Sequence, residues 1–450
     1  MKNNKPIVLL NANVIDVKKG NIFKGTVYIE KGIISEINNR CLSIEDFDNE
    51  ITLIEAENKW VMPGLIDMHV HIKDGFAPLF TAAGITTVRN TGGNVMELDK
   101  LRSAPGDAPT PSVFSADRVI DGPPGLWGET SPWNINIEED DAARTEVKRQ
   151  VNAGADFIKV YGWLPNNIMK VVVEEAKRYG KEVSCDLIHS KEVNAIEAGA
   201  LGIRWNEHAS GIIQAMYPEW SMSAKQDIWN EIIWQKPDYE KIKAVCSELI
   251  QYGVVICPTM TLFDQMAHLH DYWKPENDVI EKIYENTSLI NQWKGLAQYE
   301  AALTQMGIQA KINKEIAKAY FDMGGTVVAG TDTPAGVWTF PGMALHKELE
   351  LFVEAGFSEL DAIRAATCVA AEAMNQSDIG HIEVGRAADL VILNSNPLDN
   401  IQNTKDIDFI IKGGKVYTQK EIFESIPTEA DNQQNLEEFI ERFNGTVSVV

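Results

Sequence analysis

Residues 155–188 read ADFIKVYGWLPNNIMKVVVEEAKRYGKEVSCDLI. A short apolar run around Ile158 leads into a segment of helical period, and a second apolar run closes near Ile188. Strand, helix, strand in that order is one βαβ unit, whose two strands lie parallel because the connection crosses the sheet face. Gly154 and Gly180 stand just ahead of the two strands, where a preceding helix ends in a left-handed cap. The same rhythm runs outward in both directions. Apolar runs at 64–72, 84–90, 110–116, 155–162, 181–188, 201–208, 253–261 and 325–333 make eight, with Gly84, Gly253 and Gly325 marking further strand entries. Eight strands with helices between them predict an α/β fold, a (β/α)8 TIM-like barrel with insertions.

The chain ends have another texture. PIVLLNANVIDV, GTVYIEKGIISEI and ITLIEAENKWVM are short strands separated by turns such as Lys19-Gly20 and Lys31-Gly32, the rhythm of a small antiparallel sheet. ADLVILN and DFIIKGGKVYT repeat it near the other end. Beyond about Ile426 the tail is acidic and weakly patterned, with β-prone TVSVV at its close. Two long insertions, Glu219–Lys243 and His268–Gln305, leave the C-terminal ends of the sixth and seventh strands, where such barrels place their active sites. They read equally as lids or as ordinary packing helices.

Composition excludes several classes. The 450 residues carry 41 Lys+Arg against 65 Asp+Glu, a net charge of -24, which repels phosphate and argues against nucleic acid. A hydrophobic fraction of 44% excludes general disorder. No run approaches the roughly 18–20 uncharged apolar residues of a membrane span, so no membrane partner is expected. The basic N-terminus leads only a short apolar stretch, a poor signal peptide. Five scattered cysteines without a Cys-x-x-Cys pair disfavour a disulfide scaffold and fit a reducing cytoplasm.

The chemistry gathers at strand ends. His69 and His71 lie two apart on the first barrel strand, so both imidazoles share a face and can converge on one ion. Asp332, in AGTDTP after the eighth strand, reads either as a turn residue or as their neighbour, because strands one and eight adjoin in a closed barrel. His208 closes the sixth strand, with Asn206 and Arg204 on the same alternating face. Arg204 thus suits either a substrate carboxylate or a structural ion pair. Lys159 sits inside an apolar strand, where desolvation lowers an amine's pKa. Three fates stay open for it: a carbamate bridging two divalent metals, a Schiff base with a carbonyl substrate, or a carboxylate partner. Tyr161 shares its inward face and can donate to substrate or leaving group. Of the other histidines, His268 and His270 read as surface, His346 as packing near substrate, and His381 as structural.

With PGLIDMHVHI, AAGITTVRN, GADFIKVY, EHASG, AGTDT, LHKELELFVEAG, AIRAAT and IGHIEVGRAADLVILNSNPL in this order, ending in IIKGGKVY, the chain resembles the amidohydrolase superfamily, in its imidazolonepropionase- and prolidase-like branch. The resemblance implies a barrel over residues 63–378 and a composite β-sandwich from residues 1–62 and 379–425, with 426–450 as the tail. It implies one or two divalent metal ions, zinc first. His69 and His71 would hold the buried metal, carboxylated Lys159 would bridge, His208 would hold the second metal, and Asp332 would ligate and act as base. The family's fifth-strand histidine falls three residues after Val183, where this chain has Asp186. Either Asp186 is an oxygen ligand or His189 reaches back from the loop, where it could also assist the oxyanion. Asn90 stands where relatives often carry aspartate. The implied reaction is hydrolysis of an amide C–N bond by metal-activated water, with a dipeptide, an N-acyl amino acid or a cyclic amide as substrate. Rivals are a Schiff-base lyase using Lys159 and a non-catalytic barrel with a degraded metal site. A cytoplasmic homo-oligomer with a small-molecule substrate completes the expectation.

Overall fold

Alternating aliphatic residues in the first 63 positions form β1 (Ile7–Asp16), β2 (Asn21–Glu30), β3 (Ile33–Asn38), β4 (Thr52–Glu55) and β5 (Trp60–Pro63). The middle of the chain adds β6 (Leu65–Val70), β7 (Ile85–Asn90), β8 (Ser112–Ser115), β9 (Val119–Asp121) and β10 (Asn134–Asn136). After these come β11 (Ile158–Tyr161), β12 (Val183–Asp186), β13 (Trp205–Glu207), β14 (Val255–Cys257) and β15 (Thr326–Val327). The last strands are β16 (Leu390–Leu393), β17 (Ile407–Lys412) and β18 (Lys415–Tyr417). This computed structural model describes residues 5–40, 42–47 and 50–447.

One eight-stranded sheet draws on both chain ends, in the order β18-β17-β16-β5-β1-β2-β3 with β4 against β1. The seam is antiparallel, with Trp60 opposite Leu393 and Pro63 opposite Leu390. Leu9, Val14, Val27, Val61, Leu390, Ile392 and Ile411 share its core. Each contributes roughly 1.5–3 kcal/mol on burial. Within β1, Ile7–Leu10 pair with β4 while Asn13 and Val14 pair with β5. Asn11, at φ 58, sits at the fork.

The middle strands form two all-parallel sheets, β6-β7-β8 and β10-β9-β11-β12-β13-β14-β15. Backbone bonds span the gaps between them. Met68 N donates to Ala329 O (2.9 Å) and His71 N to Thr333 O (2.8 Å), while Asp156 N donates to Ser115 O (2.8 Å). Every apolar run read from the sequence contains one of these strands. Gly84, Gly154, Gly180 and Gly253 have positive φ as expected, but at the eighth entry Gly324 takes that role in place of Gly325.

The acidic tail is not featureless. Glu429–Val447 is a helix, because Phe439 and Phe443 at four-residue spacing supply a buried stripe that the surrounding charges mask. Phe439 lies 5.9 Å from the Trp133 ring, and Asn435 Nδ2 donates to Asp74 Oδ2 at 3.0 Å. Residues 448–450 lie outside the described residues. In the first insertion Trp220, Trp229 and Trp234 pack on one another at 5.1–5.6 Å. In the second, Trp293 Nε1 donates to Pro334 O at 2.9 Å, two residues past Asp332. No described helix is long and apolar enough to cross a membrane.

Candidate active site

His69 lies one residue before the end of β6 with its side chain buried. Its Nδ1 lies 2.7 Å from Glu207 Oε2. Glu207 Oε1 accepts from Arg89 Nη1 at 2.8 Å and from Ser184 Oγ at 2.5 Å. Burial would raise the Glu207 carboxyl, but Arg89, His69 and Lys159 outweigh it and hold the group well below its ordinary range. A carboxylate can only accept, so His69 Nδ1 carries the hydrogen. His71 Nδ1 faces the Gly92 carbonyl at 3.1 Å, which imposes the same tautomer. The lone pairs of both Nε2 atoms therefore point at one atom, Asp332 Oδ1, 3.0 Å from each. That oxygen is buried and accepts no hydrogen bond among the described residues. Burial also keeps the His69 imidazole below its ordinary pKa, against the pull of Glu207 and Asp332. Three converging lone pairs repel unless a cation lies among them. Two imidazoles and a carboxylate fit a zinc-like ion.

A second group adjoins the first. The His208 ring is 4.6 Å from that of His69, with Nδ1 2.7 Å from Thr259 Oγ1 and Nε2 3.4 Å from Asp186 Oδ2. His69, His208 and Asp332 offer ligand atoms within 4.8 Å of one another. Burial opposes the charge on Asp186, yet His208 and Lys159 bring its pKa down to about 2. Lys159 Nζ is buried without a hydrogen-bond partner among the described residues, 5.5 Å from the Tyr161 ring centre. In register, Lys159 stands beside Ser184, Tyr161 beside Asp186, and Asp186 beside Glu207.

The backbone bends to make this possible. His208 (φ 64), Ala209 (φ 48), Thr259 (φ 47) and Asp332 (φ 61) all take left-handed conformations just past their strands. Each such position costs on the order of 1–3 kcal/mol and clusters where function demands it. Asp67 holds the turn at 331–332 by accepting from Thr331 Oγ1 (2.8 Å), Thr331 N (3.1 Å) and His69 N (3.2 Å).

Seven expected positions thus come together: His69, His71, Lys159, Tyr161, Asp186, His208 and Asp332. His189 lies three residues beyond Asp186 on the loop, where its carbonyl accepts from Trp163 Nε1 at 2.9 Å. Arg204 is not brought to the cluster. It precedes β13 at the opposite strand end, its Nε 3.0 Å from Glu182 Oε1 and its side chain partly exposed. The cause is parity. β13 is only three residues long, Glu207 points inward, and the left-handed turn at His208 breaks the alternation that had placed 204, 206 and 208 on one face. His268 and His270 have exposed rings, and His346 is buried between Thr404 Oγ1 (2.8 Å) and Ala83 O (2.9 Å). Asn90 accepts from Ile72 N (2.8 Å) and donates to Gly92 O (3.1 Å), fixing the carbonyl that orients His71.

Sequence reasoning missed Glu207 and Arg89. Arg89 carried the same signal as Lys159, a charge inside an apolar strand. Its guanidinium lies between the Phe157 and Trp205 rings, at 4.0 and 4.2 Å from their centres.

The chain matches the Amidohydrolase family over residues 60–417. A dihydroorotase of Carboxydothermus hydrogenoformans is 44% identical over 68 residues, 15% of each chain. An adenine deaminase of Desulfatibacillum aliphaticivorans is 28% identical over 100 residues, 22% of this chain and 16% of that one. These matches span less than a fifth of either relative. Among solved structures, a Xaa-Pro dipeptidase with bound methionine aligns at TM-score 0.67 and 22% identity, covering 92% of this chain and 99% of the other. The bottromycin amidohydrolase aligns at TM-score 0.70 and 18% identity, covering 94% and 89%. Both share this fold. With the family match covering most of the chain, the protein belongs to the amidohydrolase family.

Proposed function

We propose that the protein is a metal-dependent hydrolase that cleaves the amide bond of a small substrate: a dipeptide, an N-acyl amino acid or a cyclic amide. The observation that carries this reading is the pair of imidazole lone pairs, His69 and His71 Nε2, each 3.0 Å from one carboxylate oxygen of Asp332. In this reading His69, His71 and Asp332 hold one divalent ion, zinc in first place, and His208 with Asp186 holds a second. Asp186 is preferred to His189 because it ends β12 beside Glu207 and lies 3.4 Å from His208 Nε2. When bound, such an ion supplies a Lewis acid and makes water acidic enough to lose a proton near neutrality.

The chain's own residues do the rest. Asp332 accepts the proton of the attacking water and passes it to the leaving nitrogen. Tyr161 keeps its proton, since burial, with Asp186 and Asp332 adding, pushes its phenol well above the ordinary value. It can therefore donate to the oxyanion, with His189 as the other candidate donor. Addition of carbon dioxide to the Lys159 amine, with one proton lost to solvent, would turn a side chain that has no hydrogen-bond partner among the described residues into an anionic ligand. Borohydride trapping of a substrate adduct on Lys159 would instead favour the lyase chemistry.

Eight of the ten parallel strands, β6, β7, β8, β11, β12, β13, β14 and β15, are read as one closed barrel over 63–378, supported by the bonds from β6 to residues 329–333. The fork in β1 supports folding of the terminal sheet, residues 1–62 with 379–425, into a two-layered sandwich. The four cysteines among the described residues are free and buried, which suits the cytoplasm, and exposed Ile233 and Tyr299 on the insertions suit contact between copies. The test is elemental analysis of the purified protein, coupled to a hydrolysis screen of dipeptides, N-acyl amino acids and cyclic amides. One or two equivalents of divalent metal with turnover of one class is expected. Near-zero tightly bound metal would overturn the reading.

A further inference from the structure

The segment between β9 and β10 is bonded at nearly every turn. Asp121 accepts from Gly122 N (2.9 Å), Leu126 N (2.8 Å) and Trp163 N (3.1 Å). Asn136 Nδ2 donates to Pro124 O (3.0 Å) and Gly128 O (2.8 Å), and Gly125 N donates to Gly122 O (2.8 Å). Gly125 has φ 86, and a Cβ there would stand 2.3 Å from Gly128 O, so the turn is specific to glycine. A loop held this firmly nevertheless leaves one of its two indoles outside: Trp127 is 62% exposed. Its indole meets the Tyr161 ring edge-on, centres 6.1 Å apart. Tyr161 is buried and stands beside Asp186 in the register of β11 and β12. The exposed indole thus adjoins the proposed metal cluster through one phenol ring.

Trp163 gives the same rim a second aromatic ring, held by its bond to His189 O and covered by Lys191 Nζ at 4.1 Å from the ring centre. An indole costs free energy in water, and a rigid loop that keeps it there spares a ligand the cost of ordering it.

We propose that Trp127 is a specificity-determining residue, a preformed wall that selects amide substrates carrying a bulky aromatic side chain beside the scissile bond. This rests on the amide-hydrolase reading above and narrows its substrate class. The indole offers a face and edge for ring stacking, an interaction that glycine or alanine substrates cannot make.

The test uses matched pairs, N-acetyl-phenylalanine with N-acetyl-glycine and Gly-Phe with Gly-Gly, on the metal-loaded wild type, Trp127→Ala and Trp127→Phe. The quantity read is the ratio of kcat/KM between the aromatic and the glycine member. It should fall roughly 2–13-fold in Trp127→Ala and recover in Trp127→Phe, for a stacking contribution of the usual size. An unmoved ratio overturns the proposal. Calorimetric binding of N-acetyl-phenylalanine and N-acetyl-glycine separates the two claims. If the wild type hydrolyses neither these pairs nor the cyclic amides of the screen above, yet prefers the aromatic ligand, and Trp127→Ala loses that preference, the wall stands and the hydrolase reading falls. If the wild type shows no aromatic preference in turnover or binding, the wall falls. Because Trp127 is exposed, an unchanged unfolding temperature verifies that the variant is folded.

Discussion

Glu207 decides how His69 faces the cluster, and it does so while pairing with the Arg89 guanidinium at 2.8 Å. Exchanging it for glutamine should therefore act twice. Breaking a buried ion pair from one side costs about 3–5 kcal/mol, readable in urea unfolding. Loosening the acceptor behind a ligating imidazole weakens metal binding by roughly 10–100-fold, readable by competition with a chromogenic chelator. Asp332→Asn keeps an oxygen for the ion but loses the proton acceptor, so turnover should fall roughly 10²–10⁴-fold while elemental analysis still finds metal. Full activity in that variant would remove Asp332 as the base. The side chains of the cluster were legible because imidazoles and carboxylates at strand ends are rare and follow β-periodicity. Glu207 was not, since its neighbour His208 leaves that periodicity through a positive φ, which no side-chain pattern announces. Of the two readings open for Arg204, the structure shows an ion pair, with Glu182, and the same break in periodicity keeps it from the cluster face.

At the scale of elements, the helix Asp140–Asn152 is tied to the strand segment ahead of it by charge. Glu146 accepts from Arg118 Nε (2.8 Å) and Nη2 (2.7 Å), and Arg149 Nη2 reaches both Glu146 and Asp117. Burial disfavours the Glu146 carboxylate, but the two arginines prevail and bring its pKa down to about 2 from 4.5. A depressed carboxyl pKa contributes stability above the unfolded value and loses it as pH falls toward the folded one. The window is therefore about pH 4.5 to 2, and the shift corresponds to about 3 kcal/mol. Urea midpoints should fall steeply for the wild type across that window and less for Glu146→Gln, which is already destabilised at pH 7. Parallel slopes would show that the network contributes nothing. The strands themselves were readable from apolar runs and glycine caps. The terminal helix was not, because two phenylalanines four apart are a thin stripe among acidic residues.

For the molecule as a whole, that terminal helix clamps distant parts of the chain, reaching Asp74 through Asn435, Trp133 through Phe439 and Thr287 through Glu429. Replacing Phe439 and Phe443 by alanine should free amide exchange along 429–447 while the eight-stranded sheet stays protected, as expected of a separately opening unit. Loss of protection throughout would mean that the clamp belongs to the global core. The antiparallel seam between β5 and β16 has its own outcome. Its two halves leave the ribosome some 300 residues apart, on the order of tens of seconds at ordinary synthesis rates. Until Leu390–Leu393 emerge, Trp60–Pro63 present an unpaired apolar edge, so nascent chains halted before that point should be the species that chaperones hold.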